Sequence, residues 1–85
     1  MSGLLTYGRM AEAHWREYCP RIVRTLENQD RSQAALLEAQ ERTLDEMEIL
    51  MRQFRRQGLN PQQTHDQAWE LVREKYILLP PERAK

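Results

Sequence analysis

The stretch between Pro20 and Gly58 most constrains the fold, because it contains neither glycine nor proline and carries a regular apolar repeat. Spacings of three and four residues alternate through the middle of it, at Leu37, Gln40, Leu44, Met47, Met51 and Phe54. Such spacing is typical of the a and d positions in helices that pack side by side. We call these six residues the heptad seam. They predict one helix over residues 31–57, about 40 Å long.

Two shorter helices are predicted before it. Tyr7, Trp15 and Tyr18 lie at helical spacing and indicate a helix over residues 6–18. Pro20 lacks an amide hydrogen and fits the first position of a second helix, over residues 20–28. We favour a turn after it, because Asp30 and Gln33 can form a capping box. A continuous helix through this region is the alternative.

The end of the long helix and the start of the next have clear local signals. Gly58 suits the left-handed position after a helix. Asn60 is a good N-cap, with Pro61 at the first helical position and Gln63 placed to complete a capping box. The fourth helix is predicted over residues 61–79 and ends before Pro80, which leaves 82–85 as a flexible tail.

The composition agrees with an all-α fold. Val and Ile are rare, whereas Leu, Glu, Gln, Arg, Ala and Met, all good helix formers, dominate the 85 residues. We therefore predict a single helical domain over residues 1–81. It would be a small bundle of three to four helices around one long central helix.

Charge and cysteine content exclude several classes of protein. Thirteen basic and thirteen acidic side chains give zero formal charge, which argues against nonspecific coating of nucleic acid. No apolar run reaches the roughly 18–20 residues of a membrane span. Cys19 is the single cysteine, so no intramolecular disulfide can form and a cytoplasmic location is favoured. The first residues also lack the pattern of a signal peptide.

The sequence carries no recognisable catalytic, cofactor or metal motif. His14, His65 and Cys19 are the only side chains that combine metal affinity with titration near neutrality, and their spacing matches no zinc motif. No phosphate-binding glycine-rich loop or nucleophile motif is present either. We expect a protein that is not an enzyme and that needs no cofactor.

The heptad seam is longer than the flanking helices can cover, so we expect a protein partner, either a different chain or a second copy. The predicted partner-binding residues belong to the seam and to the apolar C-terminal helix: Leu44, Met47, Met51, Trp69, Tyr76 and Leu79. Residues 27–50 carry seven acidic and two basic side chains, whereas residues 51–60 carry three arginines. This segregation complements the helix macrodipole, and it also suits antiparallel pairing of two copies.

The alternative function is nucleic-acid binding. Arg outnumbers Lys eleven to two, and its planar guanidinium suits phosphate and guanine. Two clusters are the candidates: Arg16, Arg21 and Arg24, and Arg52, Arg55 and Arg56.

The run from Tyr7 to Met10, followed by the helix-breaking Pro20, resembles the N-terminal motif of the small transposon-encoded proteins of the TnpV type. Asp66 and Gln67 with Trp69 are similar to that family's C-terminal cluster. The family's Ser-Gly turn is replaced here by residues 28–30. The resemblance implies a bacterial mobile-element setting, where the chain could be an accessory or inhibitory subunit. It implies no catalytic residue.

Overall fold

Four α-helices make up most of the chain in a computed structural model, which describes residues 4–82. They are α1 (Thr6–Tyr18), α2 (Pro20–Asn28), α3 (Ser32–Arg56) and α4 (Pro61–Tyr76). No strand occurs among the described residues. The predicted all-α class, with helices arranged around a long central one, is confirmed. The central helix α3 has 25 residues and packs against both α1 and α4.

The turn between α2 and α3 differs from the prediction. Asp30 does not cap α3, because its backbone has φ +56° and lies in the left-handed region. It follows the last turn of α2, where the amide of Arg31 donates to the carbonyl of Leu26 at 2.8 Å. Asp30 thus occupies the position that glycine usually takes after a helix. The N-cap of α3 is Arg31, which makes no side-chain cap hydrogen bond, and the two helices are not continuous.

The α3–α4 connection forms as predicted. Gly58 has φ +93°, and the amide of Leu59 donates to the carbonyl of Phe54 at 3.2 Å, as in a Schellman turn. Asn60 accepts from the amide of Gln63 at 2.8 Å, and the Gln63 side chain accepts from the Asn60 amide at 3.2 Å. This capping box begins α4 directly after the turn, so α3 and α4 form an antiparallel hairpin.

Helix α4 ends at Tyr76, three residues before the predicted Leu79. The residue before Pro80 is biased away from helical geometry, and residues 77–82 instead run across the junction of α1 and α2. We call residues 77–82 the C-terminal segment. Glu82 belongs to it and not to a tail: its carboxylate accepts from the amides of Arg21 and Ile22 at 3.0 Å each. The remainder of the predicted tail, 83–85, lies outside the described residues.

The buried face of α3 is rotated relative to the heptad seam. Thr43 is fully buried, while the neighbouring seam residue Leu44 is 43% exposed. The Thr43 hydroxyl donates to the carbonyl of Ala39 at 2.8 Å. Because this hydroxyl is hydrogen-bonded, its burial costs little free energy. Met47 packs with Ala68 and Val72 in a cluster between α3 and α4.

A second cluster joins α1, α2, the first half of α3 and the C-terminal segment: Leu4, Ala11, Trp15, Cys19, Val23, Leu36, Ala39 and Ile77.

The helices lie side by side and not around a common centre. The Cα atoms span 46 × 34 × 14 Å, so the molecule is flat, and its two broad faces are close together.

Candidate partner-binding groove

An apolar groove of about 490 Å³ opens on one face, where the start of α1 meets the first half of α4 and the middle of α3. We call it the α1–α4 groove. Its lining residues are Leu5, Thr6, Tyr7, Met10, Leu44, His65 and Trp69.

Gln40 sets the position of α1 beside this groove. Its buried side-chain oxygen accepts from the amide of Leu5 at 2.5 Å and from the amide of Gly8 at 3.2 Å. It therefore caps the start of α1 from a neighbouring helix, since Leu5 makes no side-chain cap hydrogen bond. A Cβ at Gly8 would lie 2.6 Å from that oxygen, so glycine is what permits the close approach.

Two aromatic rings connect α1 to α4 within the groove. Tyr7 and Trp69 stack with ring centroids 5.2 Å apart and planes inclined by 17°, an offset arrangement that aromatic pairs favour. Burial raises the pKa of the Tyr7 phenol above its ordinary value, so this group is neutral at physiological pH. The rings give the groove a rigid apolar wall.

The groove lining contains no lysine, arginine, aspartate or glutamate. Nδ1 of His65, one of the lining residues, lies 3.5 Å from a carboxylate oxygen of Asp66. Two exposed residues of opposite charge lie one helical turn from groove residues: Arg9 follows Leu5 by four positions, and Glu41 precedes Leu44 by three. Neither has an ion-pair partner within residues 4–82.

Of the predicted partner-binding residues, Leu44 and Trp69 line this groove. Met47 is 4% exposed and so presents no surface to a partner. Met51 is half-buried and lies in a separate depression with Arg52 and Arg55.

Tyr76 and Leu79 lie in a separate depression beside Trp15. The Tyr76 hydroxyl donates to the carboxylate of Glu46, which also accepts from Lys75 Nζ at 2.8 Å. The hydrogen bonds from Lys75 and Tyr76 lower the pKa of Glu46. This polar triad ties α4 to α3 and leaves Tyr76 little freedom to reorient towards a ligand.

In each of the two predicted arginine clusters, one arginine forms an intramolecular ion pair. Arg16 lies 3.4 Å from Glu27 and 3.9 Å from Glu12. Arg52 lies 2.8 Å from Glu48. The other four cluster members, Arg21, Arg24, Arg55 and Arg56, are exposed. The first cluster lies on α1 and α2, and the second lies at the end of α3.

Sequence reasoning missed five groove residues: Leu5, Thr6, Tyr7, Met10 and His65. A periodic pattern places residues on one face of one helix, whereas this groove joins short parts of three helices. The nearest available signal was the group of apolar and aromatic residues at the start of α1, Leu5, Tyr7 and Met10. That signal does not identify which helices meet.

Within residues 4–82, no three His, Cys, Asp or Glu side chains are grouped so that they could hold a metal ion. No helix in the same range is both long and apolar enough to cross a membrane. Comparison of the chain with models of known protein families, with curated proteins and with solved structures finds no match.

Proposed function

We propose that the chain is a non-enzymatic protein-interaction module whose α1–α4 groove receives apolar side chains from a helix of a protein partner. The observation that carries the proposal is the exposure of Leu44 and Leu5, 43% and 60%, at an uncharged groove of about 490 Å³. Apolar grooves between helices are a common docking mode for amphipathic helices.

The composition of the lining supports this mode of binding. Trp69 and Tyr7 are the residue types most enriched in interface hot spots, and their stacking holds the rings in place before any partner arrives. Met10 is unbranched and adaptable, which suits contact with differently shaped side chains. Because the lining has no lysine, arginine, aspartate or glutamate, few ions need to lose water on binding.

The biological setting is a proposal of the same kind. An accessory or inhibitory subunit of a mobile-element or nucleoprotein complex, in the bacterial cytoplasm, fits a small module with one docking groove. The motifs around Tyr7 and Trp69 that resemble TnpV-type proteins support this setting, because both lie in the groove.

A photo-crosslinking experiment tests the docking mode. A benzophenone amino acid replaces Leu44 in one variant and Ile49 in the other, and both are irradiated in the native host. These positions lie on the same helix and are similarly exposed, 43% and 52%, but only Leu44 lines the groove. We expect a discrete protein adduct at position 44, identified by mass spectrometry, and none at position 49.

The adduct at position 44 should disappear when Trp69 is also changed to Ala, since this removes one wall of the groove. Equal labelling at both positions, or labelling that survives Trp69→Ala, would contradict the proposal. Crosslinking to nucleic acid would favour the alternative function of the arginine clusters.

A further inference from the structure

We propose that the partner in the α1–α4 groove is a second copy of this chain, related by a two-fold axis that runs along the groove. This inference rests on the proposed function and names its partner. It follows from the surface area, from the shape of the groove and from the charges at its edges.

The chain exposes more surface than a molecule of its size normally does. Its accessible surface is 6341 Å², whereas a globular monomer of 10.2 kDa exposes about 5,300 Å². The radius of gyration is 14.5 Å, compared with about 12 Å for a compact domain of this length. The flat shape accounts for this larger surface, and a face of 46 × 34 Å has room for the roughly 800 Å² that each subunit buries in a standard interface.

The groove contains both parts that a symmetric interface needs. A two-fold interface uses the same patch on both subunits, so that patch must supply a projecting group and a space to receive it. Leu5 is 60% exposed at the α1 side, while the space between Leu44 and Trp69 is open. With the axis along the groove, α1 of each copy faces α3 and α4 of the other, and each Leu5 enters the partner's open space.

The charges beside the groove have the sign pattern that this arrangement requires. Arg9 accompanies Leu5 on α1, and Glu41 accompanies Leu44 on α3. Both are exposed, and neither has an ion-pair partner within residues 4–82. When α1 of one copy lies on α3 of the other, Arg9 of each chain meets the other chain's Glu41. The symmetry forms this pair twice.

A charge exchange tests the geometry by sedimentation equilibrium. The wild type should have twice the mass of 10.2 kDa. Arg9→Glu and Glu41→Arg should each raise the dimer Kd about tenfold, because two rim pairs become repulsive. The double variant should restore the Kd to within about twofold of the wild type. Arg24→Glu, an exposed charge on α2 away from the groove, is the matched control and should leave the Kd unchanged.

Two results would overturn the inference. One is a wild type that is monomeric at about 1 mM, where even an interface with a millimolar Kd would be half formed. The other is a dimer whose Kd is not restored by the exchange, with helicity by circular dichroism equal in all variants. A monomer that still crosslinks through position 44 to a different protein would refute this inference and leave the proposed function standing. A monomer without any such adduct would refute both.

Discussion

The α1–α2 junction and the α1–α4 groove cover their apolar side chains in different ways. At the junction, the C-terminal segment lies over Trp15 and Cys19, and three of its carbonyls have hydrogen-bond donors there. The indole of Trp15 donates to Ile77 at 3.0 Å, His14 Nε2 lies 2.7 Å from the carbonyl of Leu79, and the Cys19 thiol donates to Pro80 at 3.5 Å. The groove has no corresponding segment over it within residues 4–82.

This difference shows why one region is closed and the other open. Apart from the amides of Ile77 and Leu78, which donate to the carbonyl of Arg73, the backbone groups of residues 77–82 take no part in a helix of their own. Buried backbone groups must be paired, so the side chains of α1 fix the segment in place. Burial together with the charge of Glu82 raises the pKa of Cys19, which keeps the thiol protonated and able to donate. The groove presents apolar side chains and few polar groups, so closing it requires apolar surface from elsewhere.

The difference between the closed junction and the open groove is tested most strongly by replacing one tryptophan in each region with alanine. Trp15→Ala should lower the free energy of unfolding by about 3–5 kcal/mol, because the ring is 7% exposed and donates to Ile77. Trp69→Ala should cost less than half as much, since that ring is partly exposed at the groove. Urea unfolding at one low protein concentration measures both. Equal losses would show that Trp69 is a core residue and that the groove is not an open surface.

The next effect concerns the polar contact that positions α1 beside the groove. Gly8→Ala would favour the helix by about 1 kcal/mol on propensity alone. We expect a net loss of about 1–2 kcal/mol instead, because the new Cβ would lie 2.6 Å from the Gln40 oxygen and 2.8 Å from Leu4. Ala13→Gly, at an exposed position of α1, is the control and should cost about 1 kcal/mol. If Gly8→Ala stabilises the protein, the contact with Gln40 does not hold α1 in place.

The sequence alone predicted those local structures that depend on contacts between residues close together in the chain. The Gly58 turn and the Asn60 capping box depend on groups within five residues of each other, so their chemistry is visible in the chain. The end of α4 was misplaced, because it is fixed by contacts between residues about sixty positions apart, such as Trp15 with Ile77. The burial of Thr43 in place of Leu44 was also missed, since hydropathy does not register a hydroxyl that bonds to its own helix. The second error concerns the groove directly, because Leu44 lines it.

A smaller effect is expected from the last residue of the C-terminal segment. Glu82→Ala removes the acceptor for the amides of Arg21 and Ile22 at the start of α2. Loss of such a cap costs about 1 kcal/mol, here with water available as a replacement because the site is exposed. Glu82→Gln keeps an accepting oxygen and should cost less than Glu82→Ala in thermal unfolding. Identical stability of Glu82→Ala and the wild type would mean that the segment is not fixed at this end.

The smallest expected effect is a gain in stability at the turn that joins the closed junction to α3. Asp30 has φ +56°, a conformation that costs an L-residue about 1–2 kcal/mol and glycine almost nothing. Asp30→Gly should therefore raise the free energy of unfolding by about 0.5–1 kcal/mol, after allowance for the greater freedom of glycine in the unfolded chain. Arg24→Gly, at an exposed position inside α2, is the control and should lower it by a similar amount. A loss of stability in Asp30→Gly would indicate that the carboxylate caps α3, as the sequence pattern with Gln33 suggested. In that case α2 would leave the turn in a different direction and would not pack at the α1–α2 junction as it does in this structure.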